Sequence, residues 1–333
     1  MTPMLQNRES AGPDEAMEKQ AARADLMPID LSGLRRGNTG IDYAHRFDSG
    51  RPGPEVLVAA VVHGNELCGV HALVRALATE PRPERGALTF CFCNVAAYLG
   101  FDPAAPARAR FVDEDFNRLW DAETLDSPRR SSELDRARRI RPLIEQADQL
   151  LDLHSMQTGG EPLMLAGTAE RGRELAIRVG FPRIVVADPG HAAGRRMRDF
   201  GGFGAAHGTR TALLAECGQH RDPAAADNAT EVLARFLAAT GTLRPEAARR
   251  ICDWPERPAP RVIEVTDRVT IRGQSFRFVG NPENLDMIEK AGTVIGHDGG
   301  RPVETPYDNC VLIMPSRRLA TGQTAVRLGR YVA

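Results

Sequence analysis

Along the chain, apolar positions fall into two alternating patterns, and their order points to an α/β fold. The run Val56-Leu57-Val58-Ala59-Ala60-Val61-Val62 has strand length and no polar interruption, as expected of a strand covered on both faces of a largely parallel sheet. It stops at His63-Gly64-Asn65-Glu66. From Cys68 to Ala78 the apolar residues Val70, Leu73, Val74 and Leu77 return at helical spacing, so the polar tetrad falls on a strand-to-helix turn. Leu88 to Val95 reads as the next strand, Asp102 to Arg118 as a long irregular stretch, and Glu133 to Ala147 as a helix. The strand Leu150 to Leu153 then ends at His154, strands are expected at Arg183 to Ala187 and at Thr211 to Ala215, which ends at Glu216, and a helix at about Ala225 to Ala239. In open α/β sheets ligands bind beyond the carboxyl ends of strands, which is where His63, Glu66, His154 and Glu216 fall.

After Pro255, Pro258 and Pro260 helical spacing gives way to short β-like runs: Arg261 to Ile271, Ser275 to Val279, Thr293 to Ile295, Cys310 to Met314 and Ala325 to Tyr331. Three regions are expected: a polar arm over residues 1–25, an α/β domain over 26–257, and a small all-β domain over 258–333.

Composition narrows the class. A chain of 333 residues with 42% hydrophobic and 26% charged residues lies in the globular range and suffices for one large core plus an appendage. The net charge of −1 provides no global field for nucleic acid or anionic membrane. The cations are nearly all Arg, with Lys only at 19 and 290, a bias that fits GC-rich coding. Six scattered cysteines lack paired metal-ligand spacing, which excludes a zinc finger and a disulfide scaffold and points to reduced thiols. Residues 1–25 hold no apolar signal region, and no run approaches a membrane span, so a cytoplasmic location is expected.

A catalytic zinc site takes three protein ligands and leaves one position open, and two His with one carboxylate is an established set. His63 and Glu66 offer two ligands from one turn and His154 a third from another strand, with Gly64 permitting a backbone path that a side chain would block. Glu216, on a strand end before Cys217-Gly218, is a candidate general base beside such a metal; a solvated carboxylate is the alternative. Arg110 to Arg118 places two Arg, an Asn and three acids on one loop, suited to an acidic substrate or a developing oxyanion, or to an internal ion-pair cluster. No G-x-S-x-G elbow is present, and Cys217 with His220 three residues away is no evidence of a dyad.

Four separated segments, His63-Gly64-Asn65-Glu66, Asp115-Phe116-Asn117-Arg118, Asp152-Leu153-His154 and Ala215-Glu216-Cys217-Gly218, together resemble the aspartoacylase and succinylglutamate desuccinylase family, relatives of the zinc carboxypeptidases. The resemblance covers about residues 55 to 220. It implies a zinc-carboxypeptidase-like mixed sheet flanked by helices with a small C-terminal all-β domain. One zinc ion would be held by His63, Glu66 and His154, with Glu216 as general acid/base and Arg110 polarising the scissile carbonyl. Asn117 and Arg118 would clamp a substrate carboxylate, and Asp115 would orient an Arg. A further substrate-reading Arg is implied among Arg195, Arg196 and Arg198, and a tyrosine from the C-terminal domain has Tyr307 and Tyr331 as counterparts. The implied reaction is deacylation of a small N-acyl amino acid or related amide; homo-oligomeric assembly is implied at family level only. The alternatives are a carboxypeptidase-like enzyme acting on short peptides and a non-catalytic metal- or ligand-binding protein of the same fold.

Overall fold

The computed structural model describes residues 25–190 and 193–332. The expected arm over residues 1–25 lies, apart from Asp25, outside the described residues. In chain order the first half comprises β1 (Ala44–Asp48), β2 (Glu55–Ala60), α1 (Cys68–Leu77), β3 (Ala87–Phe92), α2 (Val95–Leu99), α3 (Ala122–Asp126), α4 (Ser132–Gln146) and β4 (Gln149–Met156). There follow β5 (Leu163–Leu165), α5 (Glu170–Val179), β6 (Ile184–Ala187), β7 (Thr211–Gln219), α6 (Pro223–Ala239) and α7 (Pro245–Arg249). The last part is all strand: β8 (Arg261–Thr270), β9 (Phe276–Phe278), β10 (Met287–Ile288), β11 (Val294–Asp298), β12 (Arg301–Glu304), β13 (Cys310–Ile313) and β14 (Thr324–Val332).

Eleven strands form one mixed sheet in the order β1-β3-β2-β4-β7-β5-β6-β8-β14-β13-β10, and β12-β11-β9 form a small antiparallel sheet. The centre, β3-β2-β4-β7, is parallel and joined by helical crossovers, as the unbroken apolar runs require. Alternation along these strands separates two cores. Val56, Val58, Leu151, Leu153, Leu213 and Ala215 pack with α1, α5 and α6, whereas Leu57, Ala59, Leu150 and Ala212 pack with the α3–α4 side. Because side chains alternate, Asp152 and His154 on β4 share the face of Leu150, and Glu216 on β7 shares the face of Ala212 and Leu214.

The expected boundary at 257 falls in the extended segment between α7, which ends at Arg249, and β8; β8 pairs in parallel with β6 (Ile184↔Arg261 to Ala187↔Glu264), so the main sheet runs across it. The irregular stretch before Arg118 contains two 3-10 turns, Pro106–Arg110 and Phe116–Arg118. No helix among the described residues is long and apolar enough to cross a membrane.

Candidate active site

Strand β2 ends in a strained turn. Val61, a buried β-branched residue, has φ of 58°, a conformation that costs on the order of 1–3 kcal/mol and persists only where surroundings impose it. Its carbonyl accepts Asn94 N–H at 2.7 Å, tying the turn to the end of β3. At Gly64 an added Cβ would lie 2.4 Å from the Ala97 and Tyr98 backbone and 2.5 Å from Ala109 O, so only glycine lets the turn seat against α2. His63 and Glu66 are thereby held by backbone contact on two sides.

His63 Nδ1 lies 2.7 Å from Glu66 Oε1, and His154 Nδ1 lies 2.8 Å from Glu66 Oε2. All three side chains are buried, and their ligand atoms lie within 4.8 Å of one another. Each imidazole turns its other nitrogen to a carboxylate: His63 Nε2 is 2.9 Å from Asp115 Oδ1, and His154 Nε2 is 3.0 Å from Asp152 Oδ1. Outer carboxylates of this kind fix the tautomer that leaves Nδ1 free for a metal. Asp152, present in the sequence motif Asp152-Leu153-His154 without a role of its own, gains one here, because the period of two places acid and imidazole on one face.

The cluster's electrostatics follow from burial and proximity. Burial raises the Glu66 carboxyl, yet the two imidazoles outweigh it and hold it well below the carboxylate range; burial lowers His154, yet Asp152 and Glu66 outweigh it and raise it. A divalent ion fits this donor set. Two imidazole nitrogens and one carboxylate converge within 4.8 Å, and Glu216 Oε2, on the same cavity, is buried without a hydrogen-bond partner.

A cavity of about 480 Å³ opens on the cluster and is also lined by Arg110, Asp115, Asn117, Arg118 and Glu216. Glu216 pairs in register with His154, its Oε2 is buried without a partner, and burial pushes its carboxyl up to about 8. Arg110 Nη2 lies 2.9 Å from His63 Nε2 and 3.1 Å from Asp115 Oδ2. A His63 Nε2–H donating to Asp115 has no lone pair for Arg110, so the two contacts belong to different tautomers. Asp115 accepts Asn117 N–H at 2.9 Å, and Asn117 Oδ1 accepts Met197 N–H at 2.8 Å. Arg118 donates to Asn117 O at 2.7 Å, and burial lowers it to about 10.

The loop carrying Arg110 to Arg118 is held by Glu133, in the first turn of α4. Its buried carboxylate accepts Val112 N–H at 2.6 Å, Asp113 N–H at 3.0 Å, Glu114 N–H at 3.3 Å and Asn94 Nδ2 at 3.1 Å. Read as a helix residue, Glu133 gave no sign of this; only the tertiary approach of the loop shows it.

Of the three Arg singled out before Glu216, Arg196 lines the cavity, with Nη1 2.7 Å from Asp188 and Nε 2.8 Å from Asp199. Arg195 lines a separate cleft, and Arg198 is buried against Asp199 and the Ala212 carbonyl. Neither tyrosine lines the cavity: Tyr307 contacts Thr266 and the Arg261 guanidinium stacks on Tyr331. The C-terminal region contributes instead Asn284, the Met314 to Arg318 segment, Thr324 and Arg327.

A His-Glu-His cluster at the sheet's C-terminal edge, facing a cavity with a buried carboxylate and several guanidiniums, has the donor set of a metal site beside a ligand-sized cavity. Residues 52–236 match the family model described as the succinylglutamate desuccinylase/aspartoacylase catalytic domain, and the chain belongs to that family. It is 25% identical over 285 residues to a succinylglutamate desuccinylase of Vibrio vulnificus, covering 81% of this chain and 78% of the relative. In fold it is similar to a succinylglutamate desuccinylase from Vibrio parahaemolyticus, with a TM-score of 0.65, 18% identity and coverage of 88% and 87% of the two chains. A succinylglutamate desuccinylase/aspartoacylase from Rhodobacter sphaeroides is similar with a TM-score of 0.60, 19% identity and coverage of 85% and 87%. The family points to a hydrolase acting on amide bonds.

Proposed function

We propose that this chain is a zinc-dependent amidohydrolase that removes the acyl group from a small N-acyl amino acid. The observation that carries the reading is the convergence of His63, Glu66 and His154 on one face of the sheet, with Glu216 buried and unpartnered beside them. His63, Glu66 and His154 would hold a zinc ion, which would supply Lewis acidity toward water and toward a carbonyl oxygen.

The chain's residues supply the rest. Glu216 takes the proton of the attacking water at its free carboxylate oxygen and delivers it to the leaving amine nitrogen. Arg110 turns its guanidinium from His63 toward the carbonyl oxygen as negative charge develops there. Asn117 and Arg118 hold a substrate carboxylate, while Asp115 fixes the His63 ring and the Asn117 backbone. Met314 to Arg318 line the cavity together with the cluster, and its volume of about 480 Å³ suits a small acylated amino acid.

The test is release of free amino acid from a panel of N-acyl amino acids by the zinc-loaded protein and by Glu216→Gln. A rate reduced about 10²–10⁴-fold with zinc content intact supports the assignment. Zinc-dependent hydrolysis surviving the substitution would remove Glu216 from the mechanism.

A further inference from the structure

The wall of the cavity built by β14 holds polar groups that the proposed reaction leaves unused. Thr324 and Arg327 stand three residues apart and would point to opposite faces of a regular strand. Between Thr324 and Val326, however, the register against β8 slips by one (Thr324↔Thr270, then Val326↔Val269), a bulge that resets the alternation, and both residues line the cavity. Arg327 is 6% exposed. Its Nε lies 3.3 Å from Asp188 Oδ2 but is not aligned as a hydrogen bond.

Asp188 is already committed. Its Oδ2 accepts Arg196 Nη1 at 2.7 Å and its Oδ1 accepts Gly190 N–H at 3.0 Å. Asp199 in turn is shared by Arg196 and Arg198. Three buried guanidiniums, Arg196, Arg198 and Arg327, therefore rely on two carboxylates, with Arg118 close enough to add to the repulsion. Among the described residues Arg196 Nη2, Arg327 Nε and Thr324 Oγ1 are buried with no hydrogen-bond partner, and all three residues face the same cavity. Buried cations this poorly matched call for an anion from outside.

We propose that Arg327 is a substrate-specificity residue which, together with Arg196, receives a substrate carboxylate remote from the scissile amide. The inference rests on the deacylase reading. A carboxylate is the anion this corner is already shaped to hold, since Asp188 and Asp199 both meet Arg196 there. That carboxylate belongs either to the acyl arm or to the amino-acid side chain.

The experiment compares N-succinyl-alanine, N-acetyl-glutamate and N-acetyl-alanine on the zinc-loaded wild type, Arg327→Met and Arg327→Lys, alongside calorimetric titration with glutarate. Arg327→Met leaves Asp188 paired with Arg196 and Gly190, so the fold is expected to survive. KM should rise about 10- to 100-fold for one of the two acidic substrates, with kcat within about threefold, and N-acetyl-alanine should be hydrolysed as before. Whichever acidic substrate suffers identifies the arm that Arg327 reads. Glutarate binding should weaken in parallel, and Arg327→Lys, which keeps the charge without the planar fork, should recover part of it. If Arg327→Met does not fold, the Lys variant carries the comparison. Equal losses on all three substrates, or unchanged glutarate binding, would overturn the proposal. A wild type that hydrolyses none of them would instead refute the deacylase reading, and glutarate binding would still decide the role of Arg327.

Discussion

At the scale of single residues, the buried carboxylates divide the labour by what surrounds them. Glu66 stays ionised between two imidazoles, whereas at Glu216 desolvation, with Glu66 and Asp152 nearby, outweighs His154 and Arg110 and pushes the carboxyl up to about 8. In metal-free protein the sign follows from linkage. The folded state keeps the Glu216 proton while the unfolded chain has lost it above about pH 4.5, so stability falls as pH rises from there to about 8. Metal-stripped Glu216→Gln should therefore be more stable than the metal-stripped wild type at pH 7, with the gain vanishing near pH 4. Urea midpoints at the two pH values check this, and a gain independent of pH would contradict it. Asp152 acts through His154, so Asp152→Asn should weaken zinc binding about 10- to 100-fold in a competitive chelator titration while the fold is kept. His63, Glu66, His154 and Glu216 stand out in the sequence because each follows an apolar run, Val56 to Val62, Leu150 to Leu153 with one acid, or Ala212 to Ala215. Which Arg faces the cavity was not, because Arg195, Arg196 and Arg198 alternate within a loop whose path no periodicity constrains.

At the scale of elements, the site depends on two close approaches. Gly64→Ala would drive a Cβ into the backbone of α2 and the Ala109 carbonyl, so zinc stoichiometry should fall well below that of the wild type in the variant, even where circular dichroism is unchanged. The Glu133 carboxylate holds the loop of Arg110 to Arg118 by three backbone N–H groups. Glu133→Gln keeps an acceptor but loses charge-assisted bonds, and should raise KM more than it lowers kcat. A loss confined to kcat would argue against a positioning role. The main strands and the helices α1, α4 and α6 follow the periodicity closely, α4 even through Pro142, because buried Ile140 and Ile144 keep its face against the sheet. By contrast β1 reads Ala-His-Arg-Phe-Asp and β5 is three residues long, so neither has enough pattern to be seen. In α5 the buried Gly172, Leu175, Ala176 and Val179 do recur at helical spacing, a pattern set among five charged residues in ten.

At the scale of the whole molecule, the proline cluster before residue 261 marks a change of element type without a break in the sheet. Sequence composition registers the end of the helices; only strand pairing reveals that β8 lies beside β6 in the main sheet and that Ile263, Val265, Val311 and Ile313 share a core with Leu165, Val186 and Leu214. A chain ending at residue 257 would uncover that core and the edge of β6, and is expected to lose cooperative thermal unfolding. A truncated chain that melts cooperatively and binds zinc would show instead that the two regions fold separately.

The central claim is that three side chains from two strand ends hold one zinc ion for hydrolysis. Elemental analysis of purified wild type beside the His63→Ala/His154→Ala double variant tests it most directly. About one zinc per chain in the wild type, lost in the variant together with N-acyl amino acid hydrolysis, is the predicted result. Wild type that binds no zinc after supplementation, or hydrolysis that persists in the double variant, would contradict it.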